Sequence, residues 1–259
     1  MTPLVDSHVH LDDARFDVDR NRVLESARDA GVGAMIVPAI AAPGWQALAD
    51  LAKEHGDVFP AYGMHPMFLP RHRLADCDLL DQWLDTHQAV AVGEIGLDYF
   101  VEDLDRDRQL VLFDRQLSIA TNHRLPVIIH ARRAVDAVIA AIRRHPGTSG
   151  VVHSFSGSAE QAEQLFKLGF LVGIGGPVTY PRAQRLRRVV AKLPMEQLLL
   201  ESDAPDQPGI AHRGQRNEPS SIAETLAELA ALRGERVERV AAATTANAQR
   251  LFDIGTPAH

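Results

Sequence analysis

The sequence has one cysteine among its 259 residues, Cys77, so no disulfide can form within the chain. Three acidic neighbours, Asp76, Asp78 and Asp81, are expected to raise the pKa of this thiol, which argues against a reactive cysteine. No apolar run approaches the roughly 18 residues that span a bilayer. The first residues include neither the basic nor the apolar segment of a signal peptide. We therefore expect a cytoplasmic protein without membrane contact.

An excess of positive charge is also lacking, because the formal net charge is −7. Proteins that coat nucleic acid through bulk electrostatics present a broad basic surface, so that class is excluded. A local basic pocket is compatible with this balance, and bound cations would offset negative charge at a carboxylate-rich site. No obligatory protein partner is evident. Hydrophobic residues make up 46% and charged residues 24%, which is typical of globular proteins.

Short apolar runs alternate with longer segments of helical period, which is the pattern of repeated βα units. The eight predicted strands cover residues 4–8, 34–39, 58–63, 90–95, 127–130, 150–153, 170–174 and 198–201. The predicted helices include residues 20–30, 44–55, 106–123, 135–144, 159–168, 183–193 and 221–232. No linker or low-complexity tract interrupts this alternation, so we expect one domain over residues 1–259.

Eight such units can close into a TIM (β/α)8 barrel or open into a doubly wound sheet, and periodicity does not decide between them. In a barrel the active site gathers at the carboxyl ends of the strands, where ionisable side chains should recur. They do recur at these ends. We therefore predict an α/β fold of the TIM-barrel, metal-dependent hydrolase type, covered by a last helix over residues 236–252.

The strongest local signal is the pair His8 and His10 at the end of the first predicted strand. Because side chains alternate along a strand, both imidazoles should lie on one side, free to bind one metal ion. Alone, such a pair is a weak signal, since two partly buried histidines are as common.

Ionisable residues end other predicted strands as well: Glu94, His130, His153 and Asp203. Each alone is best explained as a satisfied polar residue at a strand end. Their joint occurrence at strand ends favours a metal site, because buried charges are costly unless they are paired or bound to metal. Imidazoles with carboxylates suit zinc, manganese, iron or nickel, and a bridging carboxylate is the usual way to hold two ions.

At this point the sequence resembles the TatD family of metal-dependent deoxyribonucleases, within the amidohydrolase-like barrels. The matching motifs are Asp6-Ser7-His8-Val9-His10-Leu11, Gly63-Met64-His65-Pro66, Gly93-Glu94-Ile95-Gly96-Leu97-Asp98-Tyr99, His130-Ala131-Arg132, His153-Ser154-Phe155-Ser156-Gly157 and Glu201-Ser202-Asp203-Ala204-Pro205. Together they extend over essentially the whole chain. Residues 169–182 are most similar to the bacterial YjjV-like branch.

The resemblance implies two divalent metal ions, with Zn, Mg and Mn as the candidates. It implies that one ion is held by His8, His10 and Asp203, the other by His130 and His153, and that Glu94 bridges both. Asp203 would also act as the base toward the attacking water, so that Asp203 and Glu94 are the implied catalytic residues.

Three further residues are expected to contact substrate: His65, Arg132 and, as a weaker candidate, Arg213. An imidazole can donate to a phosphate oxygen, and a guanidinium offers a charge-assisted fork. The chain departs from the family pattern at Ser202, where Thr is usual, and after Pro66, where Met67 and Phe68 are more apolar than expected.

Three functions compete. The first is a deoxyribonuclease, a 3′-5′ exonuclease with DNA and also RNA as substrate, which hydrolyses phosphodiester bonds with a metal-activated water. The second keeps the metals but acts on an ester, amide or lactone of a small molecule, since the fold does not choose among these bonds. The third is a non-catalytic module that retains a structural metal.

Overall fold

The computed structural model describes residues 3–255, so the ends of the predicted domain, residues 1–2 and 256–259, lie outside it. Eight parallel strands pair in chain order. They are β1 (Leu4–Asp6), β2 (Val32–Pro38), β3 (Val58–Tyr62), β4 (Ala91–Asp98), β5 (Val127–Arg132), β6 (Gly150–Val152), β7 (Phe170–Ile174) and β8 (Leu198–Leu200). The predicted TIM barrel is confirmed.

The barrel is completed between its first and last strands by backbone hydrogen bonds. Ser7 N–H donates to the Leu200 carbonyl over 2.9 Å, and Asp203 N–H donates to the His8 carbonyl over 2.9 Å. These bonds leave no open edge at the carboxyl end of the sheet, where a doubly wound fold would have one. The segments after β1 and β8 are thereby held together.

Helices follow the strands and pack around the sheet. They are α1 (Arg20–Asp29), α2 (Trp45–Glu54), α3 (Ala75–Thr86), α4 (Arg106–His123), α5 (Val135–Ile142), α6 (Ala159–Lys167), α7 (Gln184–Val190), α8 (Ile222–Arg233) and α9 (Val237–Phe252). Local signals explain several ends: Ser158 and Gln161 form a capping box at the start of α6, and Gly234, with φ of 63°, ends α8. Within residues 3–255, no helix is both long and apolar enough to cross a bilayer.

Apolar side chains fill two layers. Inside the barrel, one residue or two from each strand form a small core, among them Val5, Ile36 and Leu199. Helix α9 covers the amino-terminal end of this core with Phe252, as the predicted last helix should. The larger core lies between the sheet and the outer helices. With the amino-terminal end covered, the carboxyl end is left for the site.

The predicted boundaries differ from the structure mainly at β4, which runs to Asp98 and not to residue 95. Pairing of Gly96, Leu97 and Asp98 with the end of β5 carries both strands further than their apolar runs indicate. Helix α7 is shorter than predicted, and α3 was not among the predicted helices.

Cys77 lies on α3 and is fully buried. Burial raises the pKa of its thiol to about 11, and Asp78 and Asp76 add to this effect. The predicted direction is confirmed, although burial is the larger cause.

Candidate metal centre

A cavity of about 650 Å³ opens at the carboxyl ends of the strands. The predicted site residues that line it are His10, His65, Glu94, His130, Arg132, His153 and Asp203. His8 lies beneath them and is fully buried. Arg213 is exposed and does not line this cavity, so its role as a substrate contact stays a prediction without a supporting contact.

His8 and His10 lie beyond the end of β1, so the alternation of a regular strand is not what aligns them. Backbone hydrogen bonds hold this segment: Val9 N–H donates to the Ile36 carbonyl over 3.1 Å, and His10 N–H donates to the Ala204 carbonyl over 2.8 Å. The two imidazoles nevertheless converge, with their Nε2 atoms 3.1 Å apart.

Asp203 joins these two histidines. Its Oδ1 lies 3.5 Å from His8 Nε2 and 3.8 Å from His10 Nε2. Two ligand atoms bound about 2.1 Å from one tetrahedral ion are about 3.4 Å apart. The three separations therefore fit a single divalent ion held by this first set of ligand atoms.

Glu94 is fully buried, and its two carboxylate oxygens face different groups. Oε2 lies 3.2 Å from His8 Nε2 and 3.4 Å from His10 Nε2. This oxygen has no hydrogen-bond partner within the part of the chain that the structure describes. A buried carboxylate oxygen without a donor is costly unless a cation satisfies it, so its position favours a metal.

The second oxygen of Glu94, Oε1, faces three imidazoles. It lies 2.9 Å from His153 Nε2, 3.0 Å from His130 Nδ1 and 3.0 Å from His65 Nε2. The His130 and His153 nitrogens are 3.4 Å from each other, again the spacing of ligands on one ion. The histidine predicted as a substrate contact, His65, thus lies as close to Glu94 as the two predicted ligands do.

The ionisable groups of this cluster shift one another's pKa values. Burial opposes ionisation of Glu94, but the surrounding imidazoles of His65, His153 and His8 outweigh it and hold the pKa of the carboxyl well below its usual value. Burial also opposes protonation of His10, yet Glu94 and Asp203 raise its pKa to about 9. Because a metal binds neutral imidazole, loading of the centre would release protons.

Unlike the carboxyl of Glu94, that of Asp203 has a raised pKa of about 6, because burial opposes its ionisation. A carboxyl with such a pKa can accept and release a proton near neutral pH. Its second oxygen, Oδ2, accepts a short hydrogen bond from Gln207 Nε2. Gln207 also bonds to the Ser154 hydroxyl. Sequence patterns gave Gln207 no signal, because it stands in a loop after β8.

Two buried carboxylates lie beside His130 and His153, two of the histidines that face Glu94 Oε1. Asp98 Oδ2 lies 2.9 Å from His130 Nε2, which leaves His130 Nδ1 directed at Glu94. Glu201 Oε1 accepts from Ser154 N–H over 2.6 Å and lies 3.8 Å from His153 Nδ1. A partner at hydrogen-bond distance, as Asp98 is for His130, fixes the tautomer and the direction of a ligating imidazole, whereas His153 Nδ1 has no hydrogen-bond partner within residues 3–255. Both stand in the matched motifs, but sequence alone did not assign them this role.

Ser202 stands where the family usually has Thr, and it keeps the hydroxyl that makes a structural hydrogen bond. The Ser202 hydroxyl donates to Asp6 Oδ2 over 2.6 Å and accepts from Ala204 N–H over 3.1 Å. Burial raises the pKa of Asp6 to about 7, in spite of the hydrogen bonds from Ser202. The hydroxyl therefore ties the turn that carries Asp203 to the end of β1.

Backbone strain is concentrated here. Ser154, Asp203 and Gln207 adopt φ of 46°, 55° and 49°, in the left-handed region that residues other than Gly, Asn and Asp rarely occupy. For Ser154 and Gln207 this conformation costs roughly 1–3 kcal/mol each and persists only where the surroundings enforce it. The strain points to a site in which side-chain direction matters.

Comparison with known proteins assigns the family. The model of the family described as TatD related DNase matches residues 5–253. The chain belongs to the TatD family. Metal-dependent hydrolase YjjV of Escherichia coli is 43% identical over 254 residues, covering 96% of this chain and 98% of the relative. The predicted resemblance is confirmed, and the chain is a TatD-family metal-dependent hydrolase.

Two further matches extend this comparison. The crystal structure of the YjjV TatD homologue from Escherichia coli superposes with a TM-score of 0.94 at 42% identity, covering 97% of this chain and 98% of that chain. The 3′-5′ ssDNA/RNA exonuclease TatD of Erwinia tasmaniensis is 32% identical over 261 residues, covering 97% of this chain and 100% of the relative. Both matches span nearly the full length, so the barrel and its loops are compared as a whole.

Proposed function

We propose that this TatD-family hydrolase is a two-metal nuclease that hydrolyses phosphodiester bonds of DNA, and of RNA as well, from the 3′ end. The observation that carries the proposal is the division of the two Glu94 oxygens between two sets of ligand atoms. A carboxylate that is shared between two sets of ligands suits two metal ions about 3.5–4 Å apart, the arrangement that two-metal phosphodiesterases use.

The residues divide the work between them. His8, His10 and Asp203 would hold one ion, His130 and His153 the other, and Glu94 both. Zn²⁺, Mg²⁺ or Mn²⁺ held there would supply activation of the attacking water and neutralisation of phosphate charge. Asp203, whose Oδ1 lies beside both histidines of the first ion, would take the proton of that water.

Substrate contacts complete the proposal. Arg132 lines the cavity and is exposed, so its guanidinium is free to bind a phosphate oxygen. Burial lowers the pKa of His65 to about 4, so this imidazole is neutral. Its Nδ1 accepts from Met67 N–H, so its one N–H, on Nε2, would reach a phosphate only by leaving Glu94 Oε1. The choice of nucleic acid and of 3′-5′ direction is supported by the name of the Erwinia tasmaniensis relative.

The decisive experiment measures cleavage by protein loaded with each of the three metals. The substrates are 5′-end-labelled single-stranded DNA, duplex DNA and RNA, beside a panel of small esters, amides and lactones. We expect products that shorten from the 3′ end, and loss of cleavage on chelation. Metal analysis should give two ions per chain.

Glu94→Gln tests the bridging role, because an amide keeps the shape but removes the shared charge. We expect activity to fall by more than about 100-fold, since even outer partners of metal ligands cost 10–100-fold when lost. Glu163→Gln, the same change at an exposed Glu paired only with Lys167, is the control. Turnover of a small ester or amide well above that of any nucleotide would overturn the nuclease assignment.

A further inference from the structure

The arginines of this chain differ in their partners. Many of them pair with carboxylates, as Arg28 does with Asp57 at 2.7 Å. Several arginines after β3, β4, β5 and β7 have no carboxylate at ion-pair distance within residues 3–255. They are Arg71, Arg106, Arg132, Arg133, Arg182 and Arg185. The guanidinium groups beside the metal cavity, those of Arg132 and Arg133, are therefore not engaged in ion pairs, despite the net charge of −7.

Aromatic rings are interleaved with these guanidinium groups. Arg132 lies 3.7 Å and Arg133 4.7 Å from the centre of the Phe100 ring. Phe100 is 43% exposed, so part of its ring is open to solvent. Tyr99 stacks with Arg106 at 4.6 Å. Alternating cations and π-faces are the surface on which single-stranded nucleic acids bind, because bases stack on rings and on guanidinium planes alike.

A second cleft of about 490 Å³ continues from the metal cavity. Ser156 lines both cavities, while Arg132 lines the first and the adjacent Arg133 the second. Arg133 adopts φ of 54°, the left-handed conformation. Arg185 also lines the second cleft. A chain of phosphates leaving the metal centre would thus meet further guanidinium groups.

One acidic residue also lines the second cleft. Asp136 stands there, but its carboxylate accepts a hydrogen bond from Gln161 Nε2 over 2.7 Å. Its charge is partly engaged in that bond, whereas Arg133 and Arg185 have no hydrogen-bond acceptor among the side chains that the structure describes. The balance in the cleft favours an anion.

We propose that Phe100, Arg133 and Arg185 form a binding site for the nucleotides next to the scissile bond of a single strand. A base would add to the stack of Phe100 and Arg132, and backbone phosphates would contact Arg133 and Arg185. This inference rests on the proposed nuclease function. A duplex cannot use the site in this way, because its bases are already stacked on one another.

The test compares an oligonucleotide with a dinucleotide, which spans only the scissile bond. For metal-loaded Phe100→Ala, we expect the ratio of kcat/KM for the single-stranded oligonucleotide to that for the dinucleotide to fall about 10-fold, the effect of one lost stacking contact. Arg133→Gln and Arg185→Gln should each reduce the slope of log kcat/KM against log salt by about 0.7 for the oligonucleotide.

Arg239→Gln is the matched control, since this exposed arginine on α9 lies at the other end of the barrel and pairs with Glu235. It should leave both the ratio and the salt slope unchanged. If wild-type protein cleaves both substrates but the three variants behave like Arg239→Gln, the binding site is wrong and the nuclease assignment stands. If wild-type protein cleaves neither, the proposed function itself fails. Equal kcat/KM on single-stranded and blunt duplex DNA would also overturn the site.

Discussion

Gly173 on β7 gives the sharpest prediction about how the centre is supported. A Cβ placed on Gly173 would lie 1.9 Å from Glu201 Oε2 and 2.6 Å from Glu201 Cδ. Glu201 is fully buried, and its other oxygen accepts the 2.6 Å hydrogen bond from Ser154 N–H. To restore ordinary contact, the carboxylate must move by about 1.5 Å. Gly173→Ala should therefore displace the carboxylate beside His153.

The magnitude follows from two costs. Extra volume in a packed interior costs about 1–3 kcal/mol. Loss of a hydrogen bond to a charged group adds about 1.5–3 kcal/mol. We expect Gly173→Ala to lower the free energy of unfolding by about 3–5 kcal/mol, which is about 10 °C in Tm for a chain of this size. With the Glu201 bond to Ser154 N–H lost, the backbone next to His153 is less well held, and metal affinity should fall about 10–100-fold.

Gly175→Ala is the matched control two residues further on. Its Cβ would meet Glu201 no closer than 3.4 Å, an ordinary van der Waals contact, so its stability should change by less than about 1 kcal/mol. The assay is urea unfolding of chelator-treated protein, followed by metal titration of the refolded samples. Equal losses for the two variants, or none for either, would refute the idea that Gly173 makes room for Glu201.

Three other predictions concern single side chains. Asp98→Ala removes the partner of His130 Nε2 and should weaken metal binding about 10–100-fold, measured by competition with a chelator; unchanged affinity would show that His130 is oriented without it. Ser202→Ala leaves Asp6 without its hydroxyl donor and should cost about 2 kcal/mol in urea unfolding, while Ser202→Thr, which keeps the hydroxyl, should cost less. The Cys77 thiol, with its pKa raised to about 11, should react with a thiol reagent only as the protein unfolds; rapid reaction of the folded protein at neutral pH would contradict its burial.

The order of the strands and helices was predictable from sequence because its signals are local. Apolar runs of strand length, followed by segments of helical period, determine the order of the elements without reference to distant residues. The ends of β4 and β5 were not predictable in this way. Residues such as Gly96 and Asp98 extend β4 only because the end of β5 pairs with them, and that pairing is a tertiary interaction.

The geometry of the site was likewise predictable only in part, because some of its features are local and others are tertiary. A strand-end motif indicates that His130 or Glu94 faces the carboxyl end of the barrel, but not which atom faces which neighbour. That His65 would lie 3.0 Å from Glu94 depends on how the turn after β3 folds against β4. Gln207 reaches Asp203 only because residue 207 adopts a left-handed φ of 49° in a long loop. Such contacts need coordinates, since no periodicity encodes them.

The net charge calculated from composition does not show where the unpaired charges lie. A net charge of −7 argues against binding a polyanion when every charge is counted alike. Pairing removes much of that argument, because an arginine bound to a carboxylate, as Arg115 is to Asp78 at 2.7 Å, adds little to the field outside the protein. A substrate interacts with the charged groups that are not paired. Beside the metal cavity these groups include Arg132 and Arg133, which lie on the Phe100 ring. An acidic chain can therefore carry a basic path to its active site, and the partners of its arginines, not their number, determine where that path lies.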